Sequence, residues 1–135
     1  MSEKILALDP GESTGWVFCD GDADLLGGTI PKDHGKVATL IQQMSPDIIV
    51  VERFNLFPHM AKHMTWNTFY PCEVIGVIKY IASMLSIIVC EQAPADKKFA
   101  GGYAQDWYNM KGAYNLSEHT KDAYLHLKYF MRNRK

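Results

Sequence analysis

Short apolar runs broken by turn-forming clusters open the chain. Ile5 to Leu8, Gly15 to Cys19 and Asp24 to Ile30 read as three strands, and DPGES and DGD between them predict an antiparallel meander. The period then changes. From Gly35 to Met44 the apolar positions Val37, Leu40, Ile41 and Met44 recur three and four residues apart, which predicts an amphipathic helix ended by Ser45-Pro46. The run DIIVVE, Asp47 to Glu52, holds four consecutive large apolar residues, the mark of a strand covered on both faces and therefore parallel and central. Arg53 to Pro71 is rich in aromatics, His and Met without clear periodicity and reads as loop or irregular helix. Cys72 to Leu85 predicts a second helix with a broad apolar stripe, in which Gly76 would allow close backbone contact. Ile87 to Cys90 is a further β-branched strand, and Ala95 to Asn109 is weakly helical with a break at Gly101-Gly102. A last helix runs from about Glu118 to Met131, with Ser117 as its N-cap.

The order β-β-β-α-β-α-β-α-α describes an α/β protein with a five-stranded mixed sheet, three antiparallel strands first and parallel strands joined by helices afterwards. That is the order of the ribonuclease H-like fold. In such a sheet the first and fourth strands are central neighbours.

Composition narrows the setting. With 135 residues, 47% of them hydrophobic, the chain suits one compact domain spanning 1–135. The most apolar stretch, Val74 to Val89, is interrupted by Gly76, Lys79, Tyr80 and Ser83 and falls short of the roughly 20 apolar residues that span a bilayer. MSEK followed by a strand lacks a signal-peptide pattern, so a soluble cytoplasmic protein is expected. Cys19, Cys72 and Cys90 are odd in number and lack CxxC spacing, which argues against a disulfide framework or a zinc site. A net charge of −1 gives no general reason to expect a nucleic-acid partner. Local clusters supply one: Lys97-Lys98, Lys62 between His59 and His63, and four cations from Lys128 to Lys135.

The candidate chemistry is acidic. Asp9 ends the first strand and Glu52 the fourth, so their carboxylates would sit side by side at the carboxyl edge of the sheet. Two carboxylates this close repel unless a cation lies between them. His119 and Asp122 share a face of the last helix, with His126 on the same stripe, and would complete a ligand set for Mg²⁺ or Mn²⁺. Two such ions about 3.5–4 Å apart activate a water and stabilise the leaving oxygen of a phosphodiester displacement. Each residue alone has a plainer reading: Asp9 as a turn cap, Glu52 as a strand end, His119 and Asp122 as a solvated first helical turn.

Three motifs carry a resemblance. LALDPGESTGWVF resembles the first motif of the RuvC-like Holliday junction resolvases, DIIVVERF their second and HTKDAYLHL their third, in which a His or Asp precedes Asp-Ala by three positions. The short phage-type members are the most similar in general look. The resemblance implies a homodimer in the cytoplasm of a bacterium or phage-infected cell that binds four-way DNA junctions. It would nick two opposed strands using Asp9, Glu52, His119 and Asp122 with divalent metal, two Mg²⁺ or Mn²⁺ ions per site. It further implies that an aromatic ring after the second acid stacks on an unpaired base, with Phe54 and Phe57 as candidates. Lys62, Lys97, Lys98 and, beyond Gln105-Asp106, Lys111 are the candidate phosphate contacts, and helix 72–85 the candidate dimer helix.

Other readings compete. Actin-like and sugar-kinase ATPases place a similar Asp-x-Gly-x-Thr turn after a first strand, but they need a second related domain that 135 residues do not supply. A non-catalytic DNA-binding module gains nothing from clustered negative charge beside phosphates. A less selective flap or branched-DNA endonuclease, or a ribonuclease H-type activity, stays open.

Overall fold

A computed structural model describes residues 3–21, 25–54, 70–107 and 117–133. Phe57, Lys62 and Lys111, and most of the segment read as loop after Arg53, lie outside the described residues.

The elements follow the expected order: β1 Lys4–Asp9, β2 Thr14–Asp20, β3 Leu26–Ile30, α1 His34–Met44, β4 Ile48–Glu52, α2 Tyr70–Leu85, β5 Ile88–Gln92, a 3₁₀ segment Pro94–Tyr103, and α3 Glu118–Asn133. One five-stranded sheet in the order β3-β2-β1-β4-β5 joins the strands, antiparallel from β3 to β1 and parallel from β1 through β4 to β5. The sheet is therefore the mixed one expected.

Alternation along the strands divides the core. Leu6 and Leu8 of β1 and Ile49 and Val51 of β4 face α1 and α2, packing with Val37, Ile41, Val74 and Ile78. Ile5 and Ala7 of β1 and Ile48 and Val50 of β4 face the other way, into a layer with Ala123, Tyr124 and Leu127 of α3 and with Trp107. A strand with a core on each face has no polar alternation, which is why β4 reads as a continuous apolar run.

Capping fixes the helices. The Asp33 carboxylate accepts from Lys36 N at 3.1 Å at the start of α1, and Ser45 ends that helix with φ 45°, ahead of Pro46. Ser117 caps α3 as expected, its hydroxyl accepting from Thr120 N at 3.3 Å.

Some boundaries and contacts differ from the sequence reading. α2 begins at Tyr70, with Pro71 in its first turn, where proline's missing N–H has no helical partner to lose. β5 runs on to Gln92, because pairing with β4 continues until the chain turns into Pro94. The close contact read from Gly76 is not made among the described residues: a Cβ there would meet nothing within 4 Å. The break expected at Gly101-Gly102 falls one residue earlier, at Ala100, whose φ of −102° and ψ of 15° interrupt the helical geometry.

Candidate active site at the carboxyl edge of the sheet

Strand parity builds the site. Asp9 is two residues beyond Ala7 and Glu52 two beyond Val50, and Ala7 and Val50 are register partners on the α3 side of the sheet. Both carboxylates therefore project beneath α3 at neighbouring strand ends. Gln92, the register partner of Glu52 on β5, points the same way.

α3 crosses this edge with its first turns. Its approach depends on a glycine: a Cβ at Gly15 would lie 2.1 Å from the His119 carbonyl carbon and 2.4 Å from Thr120 N. Thr120 then fastens the helix, its hydroxyl donating to the Gly28 carbonyl at 2.6 Å and meeting the hydroxyls of Thr29 and Ser117, each at 3.1 Å. Thus anchored, α3 brings His119 Nδ1 to 3.4 Å from Asp9 Oδ2. The His119 ring also lies over Gly11, where an added Cβ would come within 3.0 Å of it. One turn on, Asp122 Oδ2 lies 3.2 Å from Lys97 Nζ, and the same ammonium is 3.2 Å from Glu52 Oε1.

The four acidic and imidazole candidates thus come to one place, and Lys97 stands among them. The sequence reading put Lys97 and Lys98 together as outward phosphate contacts. Lys98 is exposed, whereas Lys97 is turned inward by the 3₁₀ segment, whose first turn is set by Asp96 accepting from Ala93 N at 2.8 Å. Phe54 packs against the core and lines a small cleft with Pro10, Glu52, Pro71, Ile75 and Pro94, so it is both part of the core margin and adjacent to Glu52.

Electrostatics divide the two central carboxylates. Asp9 is 3% exposed, and burial, together with Glu52 and Asp122 beside it, pushes its carboxyl up to about 8. Burial works to raise Glu52 as well, but the hydrogen bond from His126 and the ammonium of Lys97 outweigh it and hold Glu52 at about 2. Burial and the neighbouring carboxylates thus favour the protonated form of Asp9, while Glu52 favours the ionised form. Lys97, although partly desolvated, is pushed above the usual lysine range by Glu52 and Asp122.

Sequence reasoning missed Gln92 and assigned His126 only to a stripe. His126 is fully buried, with Nδ1 2.6 Å from Gln92 Oε1 and Nε2 2.9 Å from Glu52 Oε1. Extending β5 to the strand breaker at Pro94 would have brought Gln92 level with Glu52.

As placed, the carboxylates surround an ammonium, and no group of three or more His, Cys, Asp or Glu among the described residues stands ready to hold a metal ion. The donor chemistry nevertheless fits one. Asp9, Glu52 and Asp122 are hard oxygen donors converging where the fold already places one positive charge, and His119 supplies an imidazole at the rim.

Solved structures share this architecture. Thermus thermophilus RuvC in complex with a Holliday junction substrate aligns with a TM-score of 0.67 at 15% identity, covering 96% of this chain and 95% of that one. The chain has the RuvC-like resolvase fold. A second Thermus thermophilus RuvC structure aligns with a TM-score of 0.58 at 16% identity, over 96% of this chain and 95% of that one. The yeast mitochondrial Holliday junction resolvase Ydc2 aligns with 0.56 at 11% identity, over 95% of this chain and 77% of that one. No family model matches the chain, and no curated protein does. The RuvC-like fold is the ribonuclease H-like arrangement expected from the element order. Among the described residues no helix is long and apolar enough to cross a membrane.

Proposed function

We propose that this chain is a divalent-metal-dependent endonuclease that cuts branched DNA, with four-way junctions as its principal substrate. The observation that carries the reading is the convergence of Asp9, Glu52 and Asp122 from three separate elements on one buried-to-rim position, with His119 beside Asp9. Like charges gathered beside a fold edge cost stability, and a site for a bound cation gives that cost a purpose. The similarity in fold to resolvases, one of them in complex with a Holliday junction substrate, supports the substrate class.

In this reading Asp9, Glu52 and Asp122 hold Mg²⁺ or Mn²⁺, two ions per site, with His119 completing the donor set. A divalent cation so held lowers the pKa of a bound water and offsets charge on the leaving oxygen. The protein's own groups supply the rest. Asp9 would bind such an ion in its ionised form, Glu52 is held ionised by His126 and Lys97, and the Lys97 ammonium offers a positive charge for the scissile phosphate. Phe54, beside Glu52, is placed to meet a base, and Lys98 to meet phosphate; Phe57, Lys62 and Lys111 keep the roles the motif resemblance gives them.

Symmetric cutting of a junction requires two sites, and a homodimer supplies them. The exposed Tyr80, Met84 and Leu85 on α2 and Ile88 on β5 give apolar surface for it. The whole protein would act on DNA in the cytoplasm.

A cleavage panel tests this function: a four-way junction, a flap, linear duplex and an RNA–DNA hybrid, each in Mg²⁺ and Mn²⁺. Preferential, paired nicking of the junction is expected. Asp9→Asn and Glu52→Gln should abolish cleavage while leaving junction binding intact or tighter, because Glu52→Gln removes negative charge facing phosphate and Asp9→Asn leaves a neutral group where burial already favours one. Equal cutting of the flap or hybrid would move the assignment to a less selective nuclease. Binding without cleavage by the unaltered protein would make it a DNA-binding module.

A further inference from the structure

Behind Glu52 lies a polar relay that the proposed chemistry does not use. His126 is 0% exposed and sits in the α3 layer of the core with Ala123, Leu125 and Leu127. Its two ring nitrogens each face an oxygen, Nδ1 that of Gln92 at 2.6 Å and Nε2 that of Glu52 at 2.9 Å. A core histidine that merely satisfies itself needs one partner for each nitrogen and no particular order between them. Here the order is fixed by chemistry. An ionised carboxylate only accepts, so the hydrogen in the Glu52 contact belongs to His126 Nε2. Nδ1 then either carries a second hydrogen and donates to Gln92 Oε1, or is bare and accepts from the Gln92 amide turned over. Both states keep Nε2–H in place. Gln92, 3% exposed and the register partner of Glu52, is itself buried beside the ring.

We infer that Gln92 and His126 form a positioning brace for Glu52, in which Gln92 sets the ring of His126 and the Nε2–H of His126 anchors Glu52 Oε1. Glu52 needs such a brace because Lys97 Nζ contacts the same oxygen, Oε1, at 3.2 Å. Asp122 and Lys97 are the charged groups that face this corner from α3 and the 3₁₀ segment. Without a fixed donor behind it, the Glu52 side chain would follow Lys97 whenever that lysine moved. With one, the carboxylate keeps its aim while its cationic neighbours exchange. The consequence for activity rests on the nuclease reading above; the geometry of the brace does not.

Two measurements test it separately. Long-range ¹H–¹⁵N NMR of the full-length protein, without metal or DNA, reads which ring nitrogen of His126 carries hydrogen. Nε2 is expected to be protonated, and Gln92→Leu is expected to blur that state; a ring protonated at Nδ1 alone overturns the brace. Single-turnover cleavage of a four-way junction then reads its effect. His126→Leu is expected to slow cleavage by about 10–100-fold with junction affinity unchanged. His126→Gln, whose amide reaches the place of Nε2, should recover most of the rate, and His126→Asn, which reaches only the place of Nδ1, should not. Equal rates for the Gln and Asn variants, or an unslowed Leu variant, would overturn the proposal. If His126→Leu does not fold, the Gln and Asn pair and the NMR result decide. If the unaltered protein cuts no branched DNA, the nuclease reading falls and the NMR result alone judges the brace.

Discussion

At the scale of single residues, the site is a problem in compensating charge. Asp9, Glu52, His119 and Asp122 were legible in the sequence because strand ends and a shared helix face are positions that pattern alone can assign. Lys97 was legible as a cation but not in its direction, since a lysine beside an exposed lysine looks like solvated surface until the 3₁₀ turn that carries it is known. Its ammonium spans Glu52 and Asp122 at 3.2 Å each and supplies positive charge between the two carboxylates. Lys97→Met should therefore destabilise the metal-free protein by about 1.5–3 kcal/mol, the usual value of hydrogen bonds to charged groups. Saturating Mg²⁺ should restore most of that loss by supplying the same charge. Thermal unfolding with and without Mg²⁺ checks this, and a loss that Mg²⁺ leaves untouched would make Lys97 a structural tie for the 3₁₀ segment instead.

At the scale of elements, the decisive contact is α3 over β2. Element types and order follow from periodicity, which explains why every strand and helix among the described residues was foreseen. Boundaries and close approaches do not follow from it. Gly15 reads simply as the start of a strand, and only the crossing helix shows that no side chain fits there, with the His119 carbonyl carbon 2.1 Å from an added Cβ. Gln92 was lost for a related reason: its place in β5 is decided by pairing with Glu52, a partner 40 positions away in the chain. Gly15→Ala must push the first turn of α3 off the sheet and strain the hydroxyl cluster of Thr29, Ser117 and Thr120. A stability loss of about 1–3 kcal/mol is expected from overpacking. Cleavage should fall further, by on the order of 100-fold even where the variant is fully folded, because His119 and Asp122 ride on the displaced turn. Comparing melting temperature with junction cleavage rate separates the two effects, and a variant that loses stability but cleaves normally would show that α3 need not sit where it does.

At the scale of the whole molecule, the acidic edge couples folding to protons and, on the proposed function, to cations. Burial and the neighbouring Glu52 raise the Asp9 carboxyl from 3.8 to about 8, so between those values the folded chain keeps a proton that the unfolded chain has lost. Stability from this group is present below about pH 4 and drains away as the pH rises towards 8. Glu52 acts in the opposite sense. Held near 2 by His126 and Lys97 against its burial, it contributes stability above pH 4.5 that is lost as the pH falls towards 2. Metal-free protein should accordingly be most stable in weak acid and lose stability from about pH 5 to pH 8. Asp9→Asn should flatten that decline and be the more stable protein at pH 8. A divalent cation competes with the Asp9 proton, so the rise in melting temperature given by Mg²⁺ or Mn²⁺ should grow with pH and level off above about 8, and should be small in Asp9→Asn. Thermal unfolding of both proteins from pH 5 to pH 9, with and without the ion, reads all of this. Were the decline to persist unchanged in Asp9→Asn, the proton would belong elsewhere, and Asp9 would be an ordinary buried strand end with no cation to wait for.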